Sequence, residues 1–195
     1  MAATQIPCLP VMGAVLAGGS SRRMGKSKAD IPLWDGRSMM THVITQVKTV
    51  CPNLVIVGGP PVSIEGVLHL PDITPHLGPL GGLKTLLASG RAEAYLVVAC
   101  DQPFLTSEIC HLLLMGDSAV AHLFRPHPGQ PVDPFPGYYP ALLLSRVSDP
   151  HLPAEEDRSM QNFIRTIPVT FLSLPASLRS GIKSLNTPED LKGWG

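Results

Sequence analysis

Apolar runs alternate with amphipathic stretches along this chain, and the alternation predicts strands and helices in turn. Continuous apolar runs at 11–16, 54–57 and 94–100 are short and rich in branched residues, as in strands buried on both faces. Apolar residues recur at helical spacing over 38–50, between the first two of these runs. Strand, helix and strand joined by short glycine breaks predict an α/β fold with a mostly parallel central sheet flanked by helices.

Weaker signals extend the same pattern to the end of the chain. Further strands are predicted at 67–70, 118–125 and 169–172, and further helices at 83–87, 109–113 and 159–164. A short bridge at 31–33 precedes a turn at 34–36, whereas 126–140 holds six prolines and predicts no helix. We expect a single domain over 1–195, with 1–10 as a loose leader.

Composition narrows the class of protein. The 195 residues are 44% hydrophobic and 15% charged, which indicates a globular chain with a sizeable core. Fifteen basic and fifteen acidic residues balance to a net charge of zero, which argues against a sequence-independent nucleic-acid binder. The sequence shows no signal-peptide pattern and no apolar run long enough for a membrane span.

Cysteine usage favours a reducing compartment. The four cysteines form no CxxC pair or other metal-binding spacing; they are Cys8, Cys51, Cys100 and Cys110. We therefore expect reduced thiols that mostly fill the core of a cytoplasmic protein.

The most unusual stretch follows the first predicted strand, at 17–28. Its first residues, AGGSS, have almost no side chains, so main-chain N–H groups can approach an anion closely. Arg22, Arg23, Lys26 and Lys28 then supply countercharge. A strand, a glycine-rich turn and cations predict a polyphosphate site, whereas a tight turn with a solvated basic tail is the structural alternative.

Two common phosphate-binding motifs do not fit this stretch. The Walker motif GxxxxGK[ST] matches at Gly25-Lys26-Ser27, but its first glycine is replaced by Ser20. The dinucleotide motif GxGxxG also fails, because Gly18 and Gly19 are adjacent.

A different motif does match. The pattern L-A-G-G-x-S-x-R-M-G-x-x-K resembles the signature of the nucleotidyltransferases typified by molybdenum cofactor guanylyltransferase, a family with a three-layer, Rossmann-like fold. The resemblance implies that this loop wraps the triphosphate of a nucleotide, with Arg23 and Lys28 on phosphate oxygens. The nucleotide-binding residues that it implies here are Leu16, Ala17, Gly18, Gly19, Ser21, Arg23 and Lys28.

A second block lies at 72–83, where an aspartate precedes Gly-Pro-Leu-Gly-Gly. The glycines are suited to the start of a helix, whose free N–H groups can face an anion or a base edge. The block is similar to the second conserved block of the family, which implies that Asp72 lies beside the base, with Gly78 and Gly81 close to the nucleotide. A surface turn is the structural alternative for Asp72.

Asp101 directly follows the clearest strand prediction. A carboxylate at the carboxyl end of a central strand faces the crevice where α/β proteins bind ligands, and Mg²⁺ favours such oxygen ligands. The sequence C-D-x-P-F resembles the metal block of the family, which implies Asp101 as the Mg²⁺ ligand. A helix cap or a turn is the alternative role.

Two later blocks complete the resemblance. The family carries Pro-Leu-x-x-x-Tyr beside its acceptor pocket, and the counterpart at 134–139 departs from it at Phe135. In the closing block SLNTPED, Thr187 is suited to cap a helix, and the resemblance places Asn186 near the metal and phosphates. Ser184 stands where the family often has a second asparagine.

The resemblance implies a Mg²⁺-dependent transfer of GMP from GTP to a molybdopterin-type cofactor, with release of pyrophosphate. Arg23, Lys28 and Asp101 are the catalytic candidates. A cytidylyltransferase for this or another phosphorylated acceptor is the alternative. A non-catalytic nucleotide-binding partner of molybdoenzyme assembly proteins is a third hypothesis, and such proteins are also possible partners of the enzyme. We expect no nucleic-acid or membrane partner.

Overall fold

One seven-stranded sheet organises the computed structural model, which describes residues 9–17, 31–61, 64–74, 77–125, 130–148 and 159–185. The strands, in chain order, are β1 (Leu9–Leu16), β2 (Leu54–Val57), β3 (Val67–Leu70), β4 (Ala92–Ala99), β5 (Ala121–Phe124), β6 (Gly137–Pro140) and β7 (Val169–Leu172). Their order across the sheet is β3-β2-β1-β4-β6-β5-β7. Only β6 runs antiparallel to its neighbours, so the predicted mostly parallel sheet is confirmed.

Helices cover both faces of the sheet. They are α1 (Met39–Val50), α2 (Gly78–Ala88), α3 (Ser107–Leu114), α4 (Leu144–Val147) and α5 (Met160–Thr166), with 3-10 turns at Ala141–Leu143 and Ala176–Ile182. One apolar core joins α2, α4 and α5 to one face, and a second core joins α1 and α3 to the other. None of the helices in the described ranges is both long and apolar enough to cross a membrane.

Side-chain caps define where three of these helices begin. Ser38, Thr106 and Ser159 are the N-caps of α1, α3 and α5, and each hydroxyl accepts a hydrogen bond from a backbone N–H three residues later. The first-turn N–H groups would otherwise lack an intrahelical partner, so these caps stabilise the starts that the sequence pattern predicted.

Three predictions about the strands were incomplete. β1 begins at Leu9, inside the segment that was expected to be a loose leader, because Leu9 pairs with Ala92 of β4. β5 begins only at Ala121, since a turn at Asp117 occupies the residues before it. The proline-rich segment contains β6, which the sequence did not predict; its pairing with β4 and β5 overrides the low strand propensity of proline.

Candidate functional site

The carboxyl ends of the parallel strands meet at one edge of the sheet. Leu16 of β1 is paired with Val57 of β2 and with Ala99 of β4, and β3 ends beside β2. The chain therefore leaves the sheet toward the glycine-rich stretch, Asp72 and Asp101 at the same edge, as the crevice rule for α/β proteins requires.

Asp101 lies next to the start of the glycine-rich stretch. The N–H of Cys100 donates to the carbonyl of Leu16 at 3.2 Å, and the N–H of Ala17 donates to the carbonyl of Val57 at 2.9 Å. Leu16 is buried, whereas Ala17 and Asp101 are half-buried. Asp101 does not cap α3, because Thr106 fills that role. The geometry thus leaves the carboxylate of Asp101 at the crevice rather than in a helix cap.

Both ends of the glycine-rich stretch are anchored. Beyond Ala17 the chain is next described at Ile31, whose carbonyl accepts from the N–H of Met39 at 2.9 Å. Within the short connection at 31–33, Pro32 forms an isolated antiparallel β-bridge with Ser38. The remaining residues predicted for this loop lie outside the described residues; they are Gly18, Gly19, Ser21, Arg23 and Lys28.

A small apolar cluster ties three parts of the site together. Buried Leu33, Met39 and Leu185 pack with Ile31 and Phe104. These residues belong to the segment after the glycine-rich stretch, the loop after Asp101 and the segment before Asn186. Three chain segments that are far apart in sequence therefore converge on one point.

The late segment also contacts the Asp101 loop directly. The N–H of Leu185 donates to the carbonyl of Asp101 at 2.8 Å. Asn186 and the predicted cap Thr187 lie outside the described residues, but the described chain ends beside Asp101. This contact brings the closing block toward the candidate metal ligand.

Asp72 combines a structural contact with an available carboxylate oxygen. Its Oδ1 accepts from the N–H of Thr74 at 2.9 Å and from the hydroxyl of Thr85 at 3.0 Å. The turn role considered from the sequence is therefore real for this oxygen. Among the described residues, no hydrogen bond reaches Oδ2, and Asp72 is half-buried beyond the end of β3.

The two glycines predicted to lie near the nucleotide each have a structural reason to be glycine. Gly78, the first residue of α2, has a φ of +57°, a conformation that other residues rarely adopt. A Cβ on Gly81 would lie 2.6 Å from the carbonyl oxygen of Thr74. The N-terminus of α2 has no side-chain cap, and Gly78 and Pro79 are exposed.

A large pocket lies further along the same edge, beyond β5 and β7. We call it the cationic pocket because Arg125, Arg179 and Lys183 lie on its walls, with Asp133 as its one acidic lining residue among those described. Its volume is about 840 Å³. Pro134 also lines it, so the pocket includes the start of the segment that resembles the acceptor block of the family.

Asp133 lies within electrostatic reach of Asp101. Burial raises the pKa of Asp133 to about 6, and the negative charge of Asp101 adds to the rise, although the N–H of Phe135 donates to Oδ1 at 3.2 Å and opposes it. Gln102, the residue after Asp101, donates to the carbonyl of Phe135 at 2.7 Å, so the segment that carries Asp133 lies beside the Asp101 loop.

The segment that carries Asp133 is fixed by side chains from three other parts of the fold. Gln102 donates to the carbonyl of Phe135 at 2.7 Å, and Tyr139 donates to the carbonyl of Pro134 at 2.7 Å. Gln161 of α5 donates to the carbonyl of Val132. This wall of the pocket is thus formed before any ligand arrives.

Several polar or aromatic residues pack inside the fold. Tyr139 is fully buried in one core, and Tyr138 stacks on His122 in the other at a centroid distance of 4.8 Å. The Nε2 atom of His42 lies 3.3 Å from the carbonyl oxygen of Leu105.

The described cysteines are core residues, as predicted. Cys51, Cys100 and Cys110 are buried in one of the two cores, while Cys8 lies outside the described residues. Burial raises the pKa of Cys51 to about 11 and that of Cys110 to about 12, so both stay protonated at neutral pH.

The residues that sequence reasoning missed are those of the cationic pocket and Gln102. Arg179 and Lys183 lie on one segment, but Arg125 is far from them in sequence, so no local pattern joins all three. Asp133 directly precedes Pro134 of the acceptor-like block, and Gln102 occupies the variable position of C-D-x-P-F. Adjacency to these blocks was the one available signal.

Comparison with known proteins identifies the family. The model of the MobA-like NTP transferase domain matches residues 13–170. A molybdenum cofactor guanylyltransferase of Desulfosudis oleivorans is 31% identical over 144 residues, covering 73% of this chain and 71% of the relative. One from a Bradyrhizobium species is 31% identical over 191 residues, covering 93% of this chain and 90% of the relative.

Solved structures agree on the fold. The molybdopterin-guanine dinucleotide biosynthesis protein A of Archaeoglobus fulgidus superposes with a TM-score of 0.73 at 22% identity, covering 93% of this chain and 95% of that one. A nucleotidyl transferase from Methanothermobacter gives a TM-score of 0.73 at 14% identity, covering 93% and 94%. At the level of both sequence and fold, the chain belongs to the MobA-like NTP transferase family.

Proposed function

We propose that this chain transfers GMP from GTP to the phosphate of a molybdopterin-type cofactor and releases pyrophosphate. Its family membership makes the chain a nucleotidyltransferase, and its curated relatives carry the name molybdenum cofactor guanylyltransferase. The observation that carries the proposal is the position of Asp101. This residue follows the end of β4 and lies beside the start of the glycine-rich stretch, which follows β1.

The nucleotide would lie across the ends of β1, β3 and β4. Main-chain N–H groups of the glycine-rich stretch, with Arg23 and Lys28, would bind the triphosphate. Oδ2 of Asp72 can accept N–H donors from a guanine edge, while Oδ1 keeps its contacts with Thr74 and Thr85. The open N-terminus of α2, at Gly78, adds a favourable dipole for a negative ligand.

The transfer needs alignment and charge neutralisation more than covalent help from the protein. An oxygen of the acceptor phosphate forms a bond to the α-phosphorus, the bond between the α-phosphorus and the bridging oxygen breaks, and pyrophosphate leaves with that electron pair. The attacking phosphate is already an anion, so no general base is required. Arg23 and Lys28 would stabilise the charge on the departing pyrophosphate.

The residues present suit one divalent cation. Asp101 offers a carboxylate at the crevice, and Mg²⁺ binds through one or two carboxylates together with substrate phosphates. No group of three histidine, cysteine or acidic residues that could hold a metal without substrate occurs in the described part of the chain. When bound, Mg²⁺ would neutralise charge on the phosphate oxygens. We propose Asp101 as its protein ligand, with Asn186 nearby.

The acceptor would occupy the cationic pocket. Arg125, Arg179 and Lys183 suit an anionic molecule that is too large for the crevice alone, and the pocket volume of about 840 Å³ suits a fused-ring ligand. Asp133, the acidic lining residue among those described, supplies a carboxylate for N–H donors of such a ring. The hydrogen bond from Gln102 to Phe135 places this wall of the pocket beside the Asp101 loop, where the reacting phosphates would lie.

Two other functions remain testable by the same assay. A cytidylyltransferase would prefer CTP, and a non-catalytic partner of molybdoenzyme assembly proteins would bind nucleotide without turnover. We place the enzyme in the cytoplasm, where GTP is available.

The test has two parts. Calorimetric titration of the whole chain with each nucleoside triphosphate and Mg²⁺ should show tightest binding for GTP, with CTP weaker by at least about tenfold. Incubation with GTP, Mg²⁺ and molybdopterin-type cofactor should then yield equal amounts of pyrophosphate and guanylylated cofactor. Preference for CTP, or binding without pyrophosphate release, would replace the proposal with the corresponding alternative.

A further inference from the structure

Gln102 is a fully buried polar residue whose carboxamide is completely used. Its side chain is 0% exposed. Oε1 accepts from the N–H of Ala99 at 3.2 Å, and Nε2 donates to the carbonyls of Phe135 at 2.7 Å and Ile182 at 3.0 Å. A primary amide has two N–H donors on one nitrogen, and both find a carbonyl here.

The three partners belong to three different parts of the site. Ala99 ends β4, two residues before Asp101. Phe135 continues the segment that carries Asp133, and Ile182 belongs to a separate segment that also lines the cationic pocket. The side chain of Gln102 thus connects the end of β4, just before Asp101, with two segments that border the cationic pocket.

The chemistry of the contact requires an amide at this position. A glutamate would place a carboxylate oxygen against two carbonyl oxygens, and an apolar side chain would leave two carbonyls and one N–H unpaired in a buried place. An apolar side chain of the same volume could fill this part of the core. Only a carboxamide can hydrogen-bond to two carbonyls and one N–H at the same time.

We propose that Gln102 is a positioning residue that sets the distance between Asp101 and the cationic pocket, and so couples nucleotide binding to acceptor alignment. This rests on the proposed function of the two regions. In-line transfer tolerates little misplacement, since a shift of about 1 Å can cost about a hundredfold in rate. Gln102 itself contacts neither substrate, because its polar atoms all point at the backbone.

The test compares Gln102→Met with Tyr95→Phe in the full-length chain. Tyr95 is a matched control because its buried hydroxyl bonds the N–H groups of Arg91 and Ala92 at the opposite end of β4. For Gln102→Met we expect the Kd of Mg²⁺·GTP to stay within about twofold, while kcat/KM for the acceptor falls at least about tenfold. Tyr95→Phe should lower the Tm and leave both constants unchanged. Equal kinetics in the two variants would overturn the proposal.

A second variant covers the case in which Gln102→Met does not fold. Gln102→Asn keeps the amide but is one methylene shorter, so it cannot reach Ala99, Phe135 and Ile182 at once. We expect kcat/KM for the acceptor to fall at least about tenfold, with the Kd of Mg²⁺·GTP within about twofold of the wild type. An unchanged kcat/KM for the acceptor would count against the proposal.

Amide exchange separates this proposal from the proposed function. In the wild type, binding of Mg²⁺·GTP should slow exchange in the peptide 133–137, and Gln102→Met should abolish this effect. A wild type that binds nucleotide without any change in this peptide would refute the coupling. Failure of guanylyl transfer to the molybdopterin-type acceptor would refute the proposed function, and the exchange result would still decide the role of Gln102.

Discussion

The two halves of the carboxyl edge are built in different ways. The proposed nucleotide half, at the ends of β1 to β4, comprises short continuous blocks of sequence that are rich in small residues. The proposed acceptor half, at the ends of β5 and β7, is lined by charged side chains from segments that are distant in sequence, and buried hydrogen bonds hold the segment that carries Asp133. The comparison shows why one half has a recognisable signature: main-chain recognition depends on local sequence, whereas a side-chain pocket depends on tertiary structure.

Asp101 lies on the border between the halves, so its removal should have the largest effect. Asp101→Ala should reduce Mg²⁺-dependent kcat at least about a hundredfold, because the candidate carboxylate ligand is lost. Stopped-time pyrophosphate assays over a range of Mg²⁺ concentrations measure this. Glu93→Ala, an exposed acidic residue at the opposite end of β4, is the control and should behave as the wild type. Full activity of Asp101→Ala at the same Mg²⁺ would rule out the ligand role.

The second prediction concerns the acceptor half alone. Arg179→Gln removes a cation from the pocket wall and should raise the KM for the acceptor about tenfold or more, since charge-assisted hydrogen bonds contribute about 1.5–3 kcal/mol. The Kd of Mg²⁺·GTP should not change. Arg165→Gln, an exposed arginine of α5, is the matched control. If Arg179→Gln weakened GTP instead, the division into two halves would be wrong.

The third prediction concerns the nucleotide half alone. Asp72→Ala should reduce the discrimination between GTP and CTP about tenfold, because it removes the acceptor for the base edge. Thr85→Val deletes a donor to Oδ1 of Asp72 and leaves Oδ2 in place. This variant therefore measures how much the turn alone contributes to discrimination between GTP and CTP. Competition calorimetry measures both variants. Undiminished discrimination in Asp72→Ala would indicate that main-chain groups distinguish the base.

The smallest expected effect is on stability. Burial raises the pKa of Asp133 from 3.8 to about 6, so the folded chain holds this proton more tightly than the unfolded chain does. The free energy of unfolding therefore falls as the pH rises from about 4 to about 6, and the loss is complete above that range. Asp133→Asn removes this loss and should stabilise the protein at pH 7 by about 1–2 kcal/mol, with little difference at pH 4.

Denaturant unfolding at the two pH values measures this difference. Glu93→Gln, an exposed acidic residue, is the control and should show no pH-dependent gain. An Asp133→Asn variant no more stable than the wild type at pH 7 would show that the carboxylate is well solvated.

The same contrast explains what the sequence could predict. The alternation of strands and helices depends on local spacing, and the structure confirms it, with the predicted helices at 38–50 and 159–164 beginning beside Ser38 and Ser159. Strand β6 could not be predicted, because its pairing with β4 and β5 outweighs the prolines around it. Gln102 was not recognisable either, since its three partners are known only once the chain has folded.

The hydrogen bond from the N–H of Leu185 to the carbonyl of Asp101 has a consequence for biosynthesis of the enzyme. The loop of the candidate metal ligand is synthesised well before the segment that supports it. We therefore expect this loop to reach its final conformation only after Leu185 has been synthesised and has packed against it.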